Sequence, residues 1–295
     1  MMSAKVQEQT SLRQLIVNAD DFGFTEGVTE GILKCMQHGI VTSTTVMANM
    51  PFAGEGIRRL LAEGHRSVGI HLNLTSGPAA RTRNSRLISP NGTFLGAGVL
   101  WRQGMLRRLP AEQIELELAA QIETIRSMDI DVSHVDGHHH IHVLPQIAPV
   151  VAILCKRYKI SGVRLPYTNG HGLSLINRLK WQLVNFNASR ARKTFQDYEL
   201  MMPDHFVAWY GGGADTLGDL QRTLKTIGTG VTEIAVHPGN DDATLASMDS
   251  YLNERRVELS ALCDAGLREY LAKRGISLTD FQGMRGNLPL VNRTR

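Results

Sequence analysis

The sequence predicts an α/β fold in which helices cover a mostly parallel β-sheet. Strand-like and helix-like segments alternate along its 295 residues, which is the order expected when crossover helices join parallel strands. The strand-like segments are short, rich in valine and isoleucine, and show no clean alternation of apolar and polar residues. Such strands are typically buried on both faces. The length also suits a barrel of this class, since these barrels commonly contain about 250 residues.

The elements of the first half follow from local composition. The apolar run LIVN predicts a strand at 15–18, and a helical pattern follows at 27–38. The run TTVMAN predicts a second strand at 44–49 with a helix at 51–63, and VGIHLNL predicts a third strand at 68–74. The next stretch is rich in Gly, Arg and Ser, which predicts loops.

The second half repeats the alternation of strands and helices. A helix at 110–128 opens with Pro110, a residue type that is favoured at the first helical position. Its apolar residues Ile114, Leu118, Ile122 and Ile125 lie on helical spacing. The remaining predicted strands are 132–136, 162–165 and 233–237, and the remaining predicted helices are 146–159 and 255–274.

Bulk composition argues against several classes of protein. The 32 basic and 28 acidic residues give a net charge of +4, which is too small to predict nucleic-acid binding. The cysteines Cys35, Cys155 and Cys263 form no CxxC pair, so neither a disulfide framework nor a thiolate metal site is indicated. No secretory signal is visible, and no apolar run approaches the ~20 residues of a membrane-spanning helix. We therefore expect a cytoplasmic protein, which could also sit peripherally at the inner membrane surface.

The chain is expected to form a single domain at 13–285. Residues 1–12 are predicted to be disordered, residues 286–295 to form a tail, and the region near 169–213 to be an insertion. Part of this insertion, 173–193, is both basic and apolar. If helical, it could lie on an anionic membrane, although packing of its apolar side on the protein is more common. A homodimer is the base-rate expectation for the assembly.

Polar side chains gather at the ends of four predicted strands. The first strand runs into Asp20 and Asp21, the third carries His71, and the last ends at His237. The fourth runs into the histidine-rich segment HVDGHHHIH. Because ligands and catalytic groups gather at the carboxyl ends of parallel strands, these residues predict a shared site.

These residue types point to metal-assisted hydrolysis of an amide or ester. Two imidazoles and one carboxylate are a common ligand set for Zn²⁺ or a similar ion, and they leave positions open for water and substrate. A second carboxylate can take a proton from water, and a histidine across the site can protonate the leaving group. The neighbours Asp20 and Asp21 could divide the roles of base and ligand, since a divalent cation would relieve their repulsion.

Spacing alone does not identify which residue of the histidine-rich segment binds metal. Five residues spaced by two would share one face of an extended strand, while His139 would face away. Some of the five could instead orient other ligands through hydrogen bonds. The five are His134, Asp136, His138, His140 and His142.

Five motifs resemble the YdjC-like carbohydrate deacetylases, a family that includes the chitooligosaccharide deacetylases. The motifs are VNADDFG, GIVTSTTVMAN, VGIHLNLT, HVDGHHHIHVLPQ and AVHPG, in the expected order. The resemblance implies a distorted (β/α) barrel of the polysaccharide-deacetylase, TIM-barrel-like type. It also implies a carbohydrate N-deacetylase with one divalent metal ion (Zn, Mg, Mn or Co) held by Asp21, His71 and His138. Asp20 would be the general base and His237 the general acid.

A narrower likeness concerns the substrate. The segments GVRLPYT, DHF and HPGNDD, with RRVELSALCDAGLREYLAKRGISL, resemble the branch associated with hopanoid biosynthesis, HpnK. That likeness implies removal of acetyl from an N-acetylglucosaminyl hopanoid lipid. The alternatives are a deacetylase of soluble chitooligosaccharides such as diacetylchitobiose, a metal- or sugar-binding protein without turnover, and a phosphoesterase. Asp20 and His237 argue against binding alone, and two-metal phosphoesterases usually need more bridging carboxylates.

Four further residues are candidates for substrate contact or for support of the ligands. Asp136 either orients a histidine or caps its strand. Arg164 either orients Asp20, contacts a sugar, or forms a salt bridge at the barrel rim. Asn73 either touches substrate or makes structural hydrogen bonds, and His140 is a candidate through its place in the histidine-rich segment.

Overall fold

The structure, a computed structural model, describes residues 12–65, 68–81, 85–168, 175–211 and 213–286. The predicted disordered segment 1–12 and tail 286–295 lie almost wholly outside the described residues, so both stay predictions. Residues 169–174 of the predicted insertion also lie outside them.

The described strands form a parallel sheet in the order β5-β4-β3-β2-β1-β7-β6, and β8 also pairs with β1. Backbone hydrogen bonds tie β5 to Met201, four residues before β6, which brings the two edges of the sheet toward each other. This architecture confirms the predicted α/β fold of the distorted-barrel type. The strands are β1 Arg13–Phe22, β2 Ser43–Val46, β3 Val68–Leu72, β4 Val132–Gly137, β5 Gly162–Val163, β6 His205–Ala208, β7 Gly230–Val236 and β8 Ile276–Leu278.

β1 lies in the interior of the sheet and has three strand partners. One edge pairs with β7 from Arg13 to Ala19. The other edge is shared, because β8 pairs with its first residues and β2 pairs with its last ones. Leu15, Val17 and Ala19 on one face and Ile16 on the other are fully buried, as expected for a strand covered on both faces.

Helices cover the sheet, and their apolar faces pack on it. Ile114, Leu118, Ile122 and Ile125 are fully buried, as their spacing predicted. The prediction of one helix at 255–274 is wrong, because the side chain of Asp264 accepts a hydrogen bond from the backbone of Gly266 and the chain turns there between α9 and α10. The helices are α1 Glu26–His38, α2 Ala53–Ala62, α3 Ala97–Met105, α4 Ala111–Arg126, α5 Ala148–Tyr158, α6 Leu175–Asp197, α7 Thr216–Lys225, α8 Ala243–Met248, α9 Asn253–Leu262, α10 Leu267–Ala272 and α11 Phe281–Gly286.

Two described elements were not predicted from the sequence as strands. β6 contains four residues and β8 three. Within the described residues, no helix has both the length and the apolar character needed to cross a membrane.

Candidate metal centre and active site

Asp20 and Asp21 lie inside β1 and not after it. The strand predicted at 15–18 extends to Phe22, with an irregular register against β2 between Ala19 and Phe22. Asp21 has a φ of 69°, in the left-handed region that aspartate tolerates better than most residues. The turn there points the two carboxylates at different partners, as the sequence suggested for neighbouring residues.

Asp21, His71 and His138 are brought together by three different segments of chain. Asp21 Oδ1 lies 3.3 Å from His71 Nε2 and 2.9 Å from His138 Nδ1. All three residues are buried, and their candidate ligand atoms lie within 4.8 Å of one another. A carboxylate and two imidazoles in this arrangement could hold one divalent ion.

The residues present fit such an ion. Asp21 Oδ1 is buried and has no hydrogen bond of acceptable geometry, although two ring nitrogens face it. His71 Nδ1 lies 2.6 Å from Asp136 Oδ1, which fixes the ring and leaves Nε2 for a metal. Burial alone would lower the pKa of His71, but Asp136 and the neighbouring aspartates raise it to about 10. The negative charge that holds a proton there would equally favour a cation.

A second group of possible ligands, Asp20, His71 and Asp136, shares the same pocket. Its two carboxylates are already bonded to Arg164, whose Nη1 lies 2.6 Å from Asp20 Oδ2 and 2.8 Å from Asp136 Oδ2. Because a guanidinium occupies that position, the group with Asp21 is the better metal site.

Arg164 is a buried cation surrounded by three carboxylates. It contacts Asp20 through both terminal nitrogens, Asp136 through one of them, and Glu233 through Nε at 2.7 Å. Burial alone would raise the pKa of Asp20, but the charge of Arg164 and its hydrogen bonds hold that pKa below its usual range. Of the roles considered for Arg164, the contact with Asp20 is observed, and its complete burial leaves no surface for a sugar.

His237 follows β7 and faces Asp20 from the opposite side of the site. Its Nε2 lies 3.9 Å from Asp20 Oδ2. Its ring is stacked on Tyr210, with a centroid distance of 5.6 Å and an interplanar angle of 12°. The side chain is 19% exposed, so it can reach a bound molecule.

The histidine-rich segment does not continue as one strand. β4 ends at Gly137, and a 3-10 segment, His138–Val143, follows with left-handed backbone at His139 and His140. The predicted common face therefore does not exist beyond Gly137. His138 turns toward Asp21, whereas His140 lies against Trp181, with ring centroids 5.0 Å apart.

Two other histidines of the segment are buried away from Asp21. His134 stacks on Phe281 with ring centroids 3.6 Å apart, and His142 Nε2 lies 3.1 Å from the backbone oxygen of Arg164. Burial lowers the pKa of His142 to about 3 and holds that of His134 well below its usual value. These low pKa values favour the neutral form of both rings.

Asn73 makes structural hydrogen bonds. Its oxygen accepts bonds from the backbone of Thr75 and Ser76, and its nitrogen donates to Asn49. Asn73 is fully buried, so the structure places it in the loop after β3 and not on the wall of the site.

Arg255 and Glu258, both on α9, support the site and were not predicted from the sequence. Arg255 Nη2 lies 2.7 Å from Asp21 Oδ2, so only Oδ1 of that carboxylate faces the two imidazoles. Glu258 accepts hydrogen bonds from the backbone of His237 at 2.6 Å and of Gly211 at 2.9 Å, and from the hydroxyl of Tyr251. The only signal in the sequence was an arginine and a glutamate three positions apart, a spacing that puts them on one helix face.

We expect Asp136→Asn to weaken divalent metal binding about 10- to 100-fold, because His71 would lose the carboxylate that orients its ring. Titration calorimetry with Zn²⁺ measures this. Glu233→Gln is the matched control, since it alters a carboxylate that is also bonded to Arg164, through Nε. Equal affinities for the two variants would show that Asp136 does not position His71.

Comparison with known proteins identifies relatives of this chain. The YdjC-like protein family model matches residues 14–273. The chain is 36% identical over 275 residues to a carbohydrate deacetylase of Geobacillus stearothermophilus, covering 92% of this chain and 97% of that protein. It is 30% identical over 278 residues to a chitooligosaccharide deacetylase of Proteus mirabilis, covering 92% and 98% respectively.

Among solved structures, the fold resembles that of a proposed cellobiose-phosphate cleavage protein from Enterococcus faecalis V583. The TM-score is 0.77 at 24% identity, and the match covers 93% of this chain and 99% of the other. At this level of identity the likeness bears on the fold alone, and it agrees with the fold of the distorted-barrel type described above.

Proposed function

This chain is a member of the YdjC-like family, and from that premise we propose that it is a metal-dependent carbohydrate N-deacetylase. The observation that carries the proposal is the placement of Asp20 and His237, 3.9 Å apart, beside Asp21, His71 and His138. A protein that only bound metal or sugar would need neither a base nor an acid at these positions.

The residues of the chain divide the proton transfers between them. Asp20 accepts the proton of the attacking water, and Arg164 holds that carboxylate ionised and in place through two hydrogen bonds. His237 then donates a proton to the nitrogen of the leaving amine. The products are acetate and the free amino sugar.

A divalent ion held by Asp21, His71 and His138 would supply Lewis-acid polarisation of the acetamide and lower the pKa of water. The ligand set accepts Zn²⁺, Co²⁺, Mn²⁺ or Mg²⁺. Arg255 restricts Asp21 to one ligand oxygen, and Asp136 restricts His71 to Nε2.

For the substrate, we propose an N-acetylglucosaminyl hopanoid lipid, on the likeness of GVRLPYT and HPGNDD to the HpnK branch. A soluble chitooligosaccharide is the second candidate, and the 30% identity to the Proteus mirabilis protein of that name favours it. The two candidates undergo the same reaction at the acetamide. They differ in the group that is attached to the acetylated sugar, a hopanoid lipid in one and further sugar units in the other.

Acetate release by the purified protein tests both levels of the proposal. The metal is stripped and one ion is added back at a time, with the glycolipid and diacetylchitobiose offered in parallel. We expect release only with metal, because the ligands alone do not polarise the amide. Acetate from the glycolipid alone supports the lipid substrate, and acetate from diacetylchitobiose supports the second candidate. Tight metal binding without acetate from either one contradicts deacetylation of these two substrates and favours a binding protein.

A further inference from the structure

The outer side of α6 carries an apolar stripe that faces solvent. Leu179, Leu183 and Phe186 are 68%, 37% and 53% exposed, and their spacing of four and three places them on one helix face. The opposite side of the helix already packs on the protein, so the stripe is not needed for the core. The buried residues on that opposite side of α6 are Trp181, Val184, Ala188, Ala191 and Phe195.

The end of α3 extends this stripe. Met105 and Leu106 are 37% and 55% exposed, and Asn187 on α6 donates a hydrogen bond to the sulfur of Met105 at 3.4 Å. Five of the exposed large apolar residues described in the structure therefore lie on two adjoining elements. We call these five residues the α6 face.

Basic residues border the α6 face. Arg107, Arg190 and Lys193 line one open pocket of about 490 Å³ together with Ser189 and Thr194. All three cations are exposed, and Lys193 also forms an exposed ion pair with Asp197 at 3.1 Å. The guanidinium of Arg190 lies 5.6 Å from the ring centroid of Phe186, so the charged surface and the apolar stripe are continuous.

We propose that the α6 face docks on an anionic membrane surface. The apolar stripe would enter the headgroup–acyl boundary, and the pocket formed by Arg107, Arg190 and Lys193 would take lipid phosphate. Apolar burial combined with attraction between cations and anionic lipid is the pattern of helices that lie in the membrane interface. This inference goes beyond the proposed reaction, since binding at this face requires no turnover.

Charge favours a membrane over a second copy of this chain. A two-fold dimer through the α6 face would bring the same patch of each copy together. The cations Arg107, Arg190 and Lys193 would then approach their counterparts across the interface. An anionic surface neutralises these charges, whereas a second copy would add to them.

The docking face lies close to the candidate active site. Trp181 on the inner side of α6 contacts His140 with ring centroids 5.0 Å apart. Asn185 is bonded to the backbone of Thr168, in the segment that follows β5 and Arg164. A docked α6 would therefore hold the carboxyl ends of the strands within about one helix diameter, ~10 Å, of the lipid surface.

Sedimentation of the full chain with vesicles tests the inference. The vesicles are phosphatidylcholine with and without phosphatidylglycerol. We expect binding only to the anionic vesicles, and we expect it to fall with salt. The triple variant R107Q/R190Q/K193Q should lower the partition coefficient about 100-fold, because each cation near an anionic surface is worth ~1 kcal/mol, or about fivefold. Phe186→Ser should weaken binding as well.

A charge-matched triple variant provides the control. R58Q/R222Q/K273Q removes three exposed cations from other surfaces and should leave binding unchanged. Equal losses in the two triple variants, or no binding of the unaltered chain, would overturn the inference. So would a dimer that dissociates on Phe186→Ser, since the face would then be a contact between copies. Acetate release from a soluble substrate should be equal in all these proteins. A loss of membrane binding can therefore be told apart from a failure of the deacetylase proposal.

Discussion

Asp20→Asn should lower the rate of acetate release about 10²- to 10⁴-fold, because an amide cannot take the proton of the attacking water. Metal affinity should change little, since Asp20 contacts Arg164 while Asp21 supplies the ligand oxygen. Steady-state kinetics together with metal titration of the same preparation separate the two effects.

The control for this variant is Asp241→Asn, the same substitution at an exposed position on the loop after β7. It should retain full activity. If Asp20→Asn also retained activity while binding metal normally, Asp20 would not be the base. If it lost metal along with activity, its role would be structural or as a ligand.

Arg164→Met should destabilise the fold by about 3–5 kcal/mol, the usual cost of removing one partner of a buried ion pair. Three carboxylates, on Asp20, Asp136 and Glu233, would lose their shared cation. Urea unfolding measures the change. Arg157→Met is the matched control, since it removes an exposed pair with Glu115, and its unfolding midpoint should stay close to that of the unaltered chain.

The same variant should shift the pH dependence of activity. The lowered pKa of Asp20 means that its ionised form is favoured in the folded state. Its contribution to stability is therefore present above the ordinary value near 3.9 and is lost as the pH falls through the folded pKa. Without Arg164, burial raises the pKa of Asp20 against only the weaker effects of His71 and His237, so the acid limb of the activity profile should move to higher pH. An unchanged acid limb would show that Arg164 does not control Asp20.

The site residues near strand ends could be predicted from the sequence. The local pattern shows where a strand ends, and the carboxyl ends of parallel strands lie at the same edge of the sheet. Asp20, Asp21, His71 and His237 meet in the structure as that pattern requires. All six predicted strands overlap observed ones, and β1 is longer at both ends than predicted.

The residues that hold the site side chains in position could not be predicted in the same way. Arg255 reaches Asp21 across 234 positions of sequence, and no local pattern encodes a contact of that range. The common face proposed for the histidine-rich segment failed for a different reason. Two successive left-handed residues, His139 and His140, break the period of two. Histidine adopts that conformation more often than most residues do, but still too rarely for its presence to predict it.

The position of β1 has a consequence for how the chain is made. This strand leaves the ribosome before the other described strands. Its partner β2 follows soon after it, but β7 starts only at Gly230 and β8 only at Ile276. At a synthesis rate of about 5–20 residues per second, β1 waits roughly 10–40 s for β7. During that interval the apolar centre of the future sheet has an open edge. The nascent chain must therefore be shielded until β7 has emerged, and fragments that end before β7 should accumulate as aggregates.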